Sequence, residues 1–231
     1  MTQDQSAIPL GRALAVWAIA WSFGGVVLGQ IVLSIAGVEV GATISTETLA
    51  ALAVVSWVTM LIGVAFASGG ARQSLTAVSL RFSTSDLVWL PVGVIAQLVA
   101  VPVVYLPLRA IWPDTFDPAR LEETARDLVD AAGGFRTLLL VMVVAVGAPL
   151  VEEIVYRGMI QRSAVIRFGP VTGWIGGSLF FAAIHLRPVE FPGLAVAGAV
   201  FGIIALRTGR IGGAVVAHAA FNATGLLTLI W

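Results

Sequence analysis

The chain has 231 residues, of which 58% are hydrophobic and only 11% charged, and its 13 basic residues, all arginine, balance its 13 acids. Soluble domains carry about 25% charged residues, so the composition excludes an ordinary water-soluble protein and favours a helical membrane protein. The zero net charge offers no basic surface for nucleic acid, and the absence of cysteine excludes disulfides, thiolate metal sites and cysteine nucleophiles.

Seven apolar segments are candidate membrane spans, for which about 20 apolar residues are needed. They lie at residues 13–37, 48–68, 87–110, 136–161, 171–186, 193–207 and 211–230. The last three are short and are separated by tight turns, so one of them can be re-entrant. The sequence therefore predicts an all-α fold, a polytopic transmembrane helical bundle of about seven helices (six to eight), in a single membrane domain over 1–231.

Two connections between these segments are long. Residues 69–86 are predicted to form an interfacial turn or short helix. Residues 113–135, which contain six acids, are predicted to form a solvated amphipathic helix.

Arginines in short loops indicate the cytoplasmic side. With seven spans and Arg157 set aside, the side of the N-terminus receives seven arginines and the other side five. We therefore expect a cytoplasmic N-terminus.

Side chains that are costly in a membrane gather in the second half of the chain. A charge at the bilayer centre costs roughly 2.5–3.5 kcal/mol on insertion scales. Both histidines, the sole asparagine and the one acid pair well inside an apolar segment lie within the predicted spans: Glu152, Glu153, His185, His218 and Asn222. Asn222 follows His218 by four residues, and Arg157 follows Glu153 by four, so each pair shares a helix face. We interpret this concentration as a site.

Each of these residues also has a structural explanation. A lone histidine in an apolar helix usually forms an interhelical hydrogen bond, Glu153 and Arg157 can be a structural ion pair, and asparagine often joins membrane helices. Their convergence in one part of the chain favours a site. Pro149 also has two interpretations: it either kinks the helix and admits water to the acids, or is an ordinary proline of a membrane helix.

Three motifs follow one another in the chain: Glu152-Glu153-x-x-x-Arg157, Phe181-x-x-x-His185 and His218-x-x-x-Asn222. They resemble the motifs of the CPBP family, the Abi or type II CAAX prenyl endopeptidase-like intramembrane proteases, with residues 136–230 as the motif-bearing catalytic core. The resemblance implies a CAAX-protease-like helical core whose site opens to the cytosol. It also implies a hydrolase, an endopeptidase that cleaves a membrane-associated protein or peptide, in a bacterial cytoplasmic membrane.

The resemblance implies a role for each motif residue. Glu152 would be the general base that activates water, and His185 would hold or polarise that water. His218 and Asn222 would stabilise the tetrahedral oxyanion, for which each donor is worth roughly 2.7–4 kcal/mol in known cases. Two further residues would shape the site: Glu153 and Arg157.

A metal-dependent version is the main chemical alternative. Glu152, His185 and His218 could bind zinc, because catalytic zinc sites commonly use three protein ligands and a water. The H-E-x-x-H spacing of zinc proteases is missing, however. Since the residues supply a base and oxyanion donors without metal, we expect no metal or other cofactor.

Two other functions compete with proteolysis. A transporter or channel could use the Glu/His cluster as a proton relay, but such proteins often contain internal repeats, and no repeat is evident here. A non-enzymatic membrane partner, of bacteriocin-immunity or scaffold type, could keep the same fold. We expect the lipid bilayer and a membrane-associated protein or peptide as partners, and no nucleic acid.

Overall fold

The computed structural model describes residues 8–39 and 41–230, which fold into helices without any strand and so confirm the all-α fold. The N-terminus, predicted to be cytoplasmic, lies outside these residues. Within the described part of the chain we number nine helices: α1 Leu10–Ile35, α2 Thr46–Ser68, α3 Ala71–Ala77, α4 Thr84–Ile111, α5 Pro118–Asp130, α6 Phe135–Phe168, α7 Pro170–Ala183, α8 Phe191–Thr208 and α9 Gly212–Ile230.

Six of these helices are long and apolar enough to cross a membrane, which lies within the predicted range: α1, α2, α4, α6, α8 and α9. The fifth predicted span, 171–186, is the exception. Helix α7 has 14 residues, which at 1.5 Å per residue cover about 21 Å of a hydrocarbon core about 30 Å thick. It is therefore too short to span the membrane alone. The six long helices indicate an integral membrane protein.

The limits of α7 follow from its sequence. Gly169, with φ of 86°, ends the preceding helix, and Pro170 suits the first position of the next one because it needs no backbone donor there. At the other end the backbone reverses, with Leu186 at φ of 55°. His185 lies in this turn and not within an apolar helix. The prediction that both histidines lie within spans is therefore wrong for His185.

Helix α6 lies at the centre of the bundle and is the longest, with 34 residues. All nine residues from Glu153 to Gln161 are buried, in a segment with the wide turns of a π-helix. A second π-helical segment, Met142–Gly147, precedes Pro149. The helix continues through Pro149, so the missing backbone donor is accommodated between two irregular segments and does not end the helix.

The helices that pack around α6 include α1, α2, α7, α8 and α9. Helices α8 and α9 are joined by a short turn that contacts the first turn of α4 and the connection before it. In that turn Arg210 forms an ion pair with the buried Asp86, and the N–H of Ile211 donates to the carbonyl of Ser79 at 3.2 Å. These contacts fix where α9 begins, and α9 carries His218.

Both long connections contain the short helices that the sequence predicts, α3 in the first and α5 in the second. Asp117 caps the N-terminus of α5. Leu128 and Val129 on one face of α5 pack against Leu140 of α6 and Leu226 of α9. Three candidate spans precede α5, and if each of them crosses the membrane, α5 lies on the opposite side from the beginning of α1.

Gly93 sets how closely α4 approaches α9. A Cβ at residue 93 would overlap the backbone carbonyl of Ala217, the neighbour of His218. We expect Gly93→Ala to displace α9 and to lower the thermal unfolding midpoint in detergent, because overpacking costs about 1–3 kcal/mol. Gly176→Ala is the matched control, since nothing lies within 4 Å of a Cβ there. An unchanged midpoint for Gly93→Ala would contradict the close contact.

Candidate active site

Glu153 is the centre of a buried polar cluster. Its side chain is fully buried, and its Oε1 lies 3.0 Å from Nη1 of Arg157 and 2.8 Å from Nδ1 of His218. Arg157, also buried, donates from Nη2 to the carbonyl of Gly198 in α8 at 3.3 Å. One carboxylate therefore connects α6 to α9 through the histidine and to α8 through the arginine.

Aromatic rings enclose the cationic part of this cluster. The Arg157 guanidinium carbon lies 4.1 Å from the ring centroid of Phe181, and the ring of His218 stacks on Phe201 with centroids 4.4 Å apart. Cation–π contacts contribute about 2 kcal/mol when they are desolvated. Phe181 also contacts His185, with centroids 4.8 Å apart. The rings replace water around the guanidinium and the imidazoles and limit how these groups can move.

Glu152 differs from its neighbour Glu153 in its exposure. Its side chain is 26% exposed, and it makes no hydrogen bond to any other described residue. Its Oε2 lies 4.0 Å from Nε2 of His218, which is too far for a direct hydrogen bond but close enough for one water to contact both groups. Of the two adjacent acids, Glu152 is therefore the one available to a water or a substrate.

The hydrogen bonds of the histidines indicate which ring nitrogen carries a proton. Nδ1 of His185 lies 2.7 Å from the carbonyl oxygen of Phe181, which can only accept, so Nδ1 donates and Nε2 of the neutral ring is an acceptor. Nδ1 of His218 donates to Glu153 in the same way. Nε2 of His218 can consequently donate to an oxyanion only when the ring is an imidazolium.

Asn222 lies one helical turn after His218 on α9. Its Nδ2 donates to the carbonyl of Val144 in α6 at 2.8 Å, which leaves the second amide hydrogen for another acceptor. Asn222 also lines a cavity of about 360 Å³ between α4, α5, α6, α9 and the turn before α8. We call this space the Asn222 cavity.

The six predicted site residues do not all meet directly. Four of them form one contiguous cluster: Glu152, Glu153, Arg157 and His218. His185 reaches this cluster through the ring of Phe181, which contacts both histidines. Asn222 lies one turn further along α9, beside the Asn222 cavity. Their catalytic roles stay predictions.

The zinc alternative requires three ligands around one point. Among residues 8–39 and 41–230, no three His, Asp or Glu side chains are arranged so that they could hold a metal ion. Two neutral imidazole Nε2 atoms and a carboxylate would be chemically suitable donors, but Glu152, His185 and His218 do not converge. The arrangement thus does not fit a zinc site.

The motifs omit two glutamines near the site. Gln161 is buried one turn after Arg157, and its Nε2 donates to the carbonyl of Gly202 at 2.9 Å. Gln97 of α4 lines the Asn222 cavity and makes no hydrogen bond to another described residue. The sequence contains the signal for both residues, because each is an amide side chain inside a predicted apolar segment. The same criterion selects Asn222.

The Asn222 cavity borders α5, since Leu121, Glu122 and Ala125 line it. With three crossing spans before it, α5 lies across the membrane from the beginning of α1. The resemblance implies an opening to the cytosol, and the arginines predict a cytoplasmic N-terminus. If both hold, the Asn222 cavity faces the non-cytoplasmic side, and the substrate enters the site by another route.

Residues 134–224 match the family model described as Type II CAAX prenyl endopeptidase Rce1-like. The matched segment contains all three motifs, and the match confirms the resemblance that those motifs predict. No curated protein and no solved structure matches the chain.

Removal of Arg157 tests whether the buried ion pair maintains the fold. We expect Arg157→Ala to reduce the yield of folded protein, because removing one partner of a buried pair costs about 3–5 kcal/mol. The yield of monodisperse protein from membranes and its thermal midpoint measure this effect.

Arg136→Ala is the control for the same substitution at the surface. Both side chains of the Arg136–Glu47 pair are 54% exposed, and exposed pairs contribute about 0–1 kcal/mol. Arg157→Ala protein obtained at wild-type yield and with a wild-type midpoint would show that the ion pair has no structural role.

Proposed function

We propose that this chain, whose residues 134–224 match the model of the Rce1-like type II CAAX prenyl endopeptidase family, is an intramembrane endopeptidase that hydrolyses a peptide bond of a membrane-associated protein or peptide. The contrast between its two adjacent carboxylates carries the proposal. Glu153 is fully buried and contacts Arg157 and His218, whereas Glu152 is 26% exposed without a hydrogen bond to another described residue. One acid holds the cluster together and the other is available to accept a proton.

Glu152 is the general base of this reaction. A water that contacts both Glu152 Oε2 and His218 Nε2, which are 4.0 Å apart, is held beside the carboxylate. Glu152 takes a proton from this water while the water oxygen attacks the carbonyl carbon of the substrate. His185 does not converge on the same point, so its Nε2 accepts a hydrogen bond from a second water, which bridges to the attacking water and orients it.

The proposed mechanism uses His218 as an imidazolium. Glu152 and Glu153 are then balanced by Arg157 and the imidazolium, and a net charge of zero costs least in a low-dielectric interior. The imidazolium also has an Nε2 hydrogen to donate. Together with the second amide hydrogen of Asn222, it stabilises the oxyanion of the tetrahedral intermediate.

The intermediate collapses when the bond between the carbonyl carbon and the nitrogen breaks. Glu152, which received the proton of the water, passes it to the leaving nitrogen. The products are a carboxylic acid and an amine, and Glu152 is again a carboxylate. The water has supplied the hydroxyl group of the acid and the proton of the amine, so the reaction requires no other reactant.

Glu152→Gln tests the general base, because glutamine has nearly the same size and cannot take up the proton. We expect cleavage of a membrane-tethered reporter to fall at least about 100-fold, within the range of general acid–base catalysis. Glu123→Gln, at an exposed position of α5, is the control for the same change. Yield and thermal midpoint verify that both variants fold. Equal cleavage by wild type and Glu152→Gln would refute the mechanism.

Metal removal tests the choice between the two versions of the protease. Since Glu152, His185 and His218 do not converge as a ligand set, we expect reporter cleavage to persist after dialysis against a chelator. Elemental analysis of the same sample measures any metal that remains. Stoichiometric zinc, with activity lost on its removal and regained on its return, would establish the zinc-dependent version instead.

A further inference from the structure

The Asn222 cavity contains polar groups that the proposed reaction does not use. No arginine or histidine of the described residues lines it. Five polar side chains lie on its walls: Gln97, Glu122, Glu190, Asn222 and Thr228. Two of these five are carboxylates, so a cation inside the cavity would find acceptors on its walls.

Gln97 indicates that something polar occupies this space. It lies inside the apolar helix α4, in the π-helical segment Ala96–Ala100, and no described residue hydrogen-bonds to its side chain. A Cβ added at Gly225 of α9, one turn after Asn222, would be 3.2 Å from its Nε2. An amide at membrane depth costs free energy unless its donors and acceptor are satisfied. Water or a bound ligand in the cavity must therefore satisfy it.

The two carboxylates come from different parts of the fold, Glu122 from α5 and Glu190 from the turn before α8. Each forms an ion pair within its own segment, Glu122 with Arg126 and Glu190 with Arg187. Both pairs are partly or largely exposed and such pairs are weak. A carboxylate has room for several hydrogen bonds, so each acid can accept from a further cation on the cavity side.

The other walls are apolar. They are formed mainly by the side chains Leu121, Val144, Phe221, Leu226 and Leu229. Lysine and arginine combine a long apolar stem with a charged end. A cavity with apolar walls and carboxylates from two separate segments fits that combination, and it repels an acidic side chain.

We propose that the Asn222 cavity binds a basic side chain of the peptide substrate next to the scissile bond, and that Gln97 is a positioning residue which hydrogen-bonds the peptide backbone there. This inference rests on the proposed function, in which Asn222 contacts the oxyanion. A substrate whose carbonyl oxygen lies at Asn222 has its neighbouring residues at the cavity. Gln97 on α4 and Asn222 on α9 then hold the peptide from two sides.

The charge preference is tested with membrane-tethered reporters that carry Lys, Met or Glu at each position flanking the scissile bond. At one of these positions we expect wild type to cleave the Lys reporter with a kcat/KM about tenfold above that of the Glu reporter, the size expected for one charged hydrogen bond. The double variant Glu122→Gln/Glu190→Gln loses this preference. It also cleaves the Glu reporter faster than wild type, a gain that misfolding cannot produce.

Glu123→Gln is the matched control for the acids, because Glu123 is exposed on α5 and does not line the cavity. We expect it to keep the wild-type preference for lysine. The comparison separates the effect of a carboxylate on the cavity wall from a general effect of charge at this side of the membrane.

The role of Gln97 is tested by Gln97→Leu. We expect KM to rise about tenfold for the Lys and Met reporters alike, with little change in kcat, because the lost hydrogen bond is to the peptide backbone. Gln97→Asn restores part of the affinity. Gln30→Leu, the same change at an exposed position of α1, leaves KM unchanged.

The outcomes separate this inference from the proposed function. If no reporter is cleaved in a Glu152-dependent manner, the endopeptidase itself is refuted. If Glu152-dependent cleavage occurs but shows no preference for lysine, or the double variant retains that preference, only the basic subsite is refuted. An unchanged KM for Gln97→Leu removes the positioning role of Gln97.

Discussion

A fully buried carboxylate, that of Glu153, has to be balanced where water does not reach it. Its Oε1 contacts Arg157 on the same helix and His218 on α9, and Arg157 in turn contacts the backbone of α8. A charge at such depth is tolerated when it is paired and hydrogen-bonded. The requirement to balance Glu153 therefore joins three helices and fixes the imidazole of His218 relative to α6.

Two adjacent acids with different surroundings make this cluster suitable for chemistry. Glu153 is held by its partners, while Glu152, one residue earlier and on another face of α6, keeps part of its carboxylate accessible. The aromatic rings of Phe181 and Phe201 shield the cations and exclude water from the inner side. Fixed dipoles and charges in a dry site act more strongly than the same groups in water. On the outer side, 26% of the Glu152 side chain is exposed.

The predicted elements and the observed ones differ where tertiary contacts set a helix end. Helix α7 ends before His185, and the turn places the imidazole against the carbonyl of Phe181. The Asn222 cavity depends on contacts of the same kind, since α5, a polar connection in the sequence, packs against α6 and α9 and completes its wall. Residues far apart in the chain, such as Gln97 and Glu190, meet only there.

The sequence alone determined the fold class, most of the long helices and the candidate residues, because apolar length and the cost of polar groups in a bilayer are properties of local composition. The three motifs also predicted the family resemblance that the match over residues 134–224 confirms. Only the tertiary structure decided that Glu153 is enclosed while Glu152 is accessible, that His185 lies in a turn, and that Gln97 shares a cavity with Asn222. Burial and hydrogen-bond partners come from other helices, so they depend on how the helices pack and cannot be read from one segment.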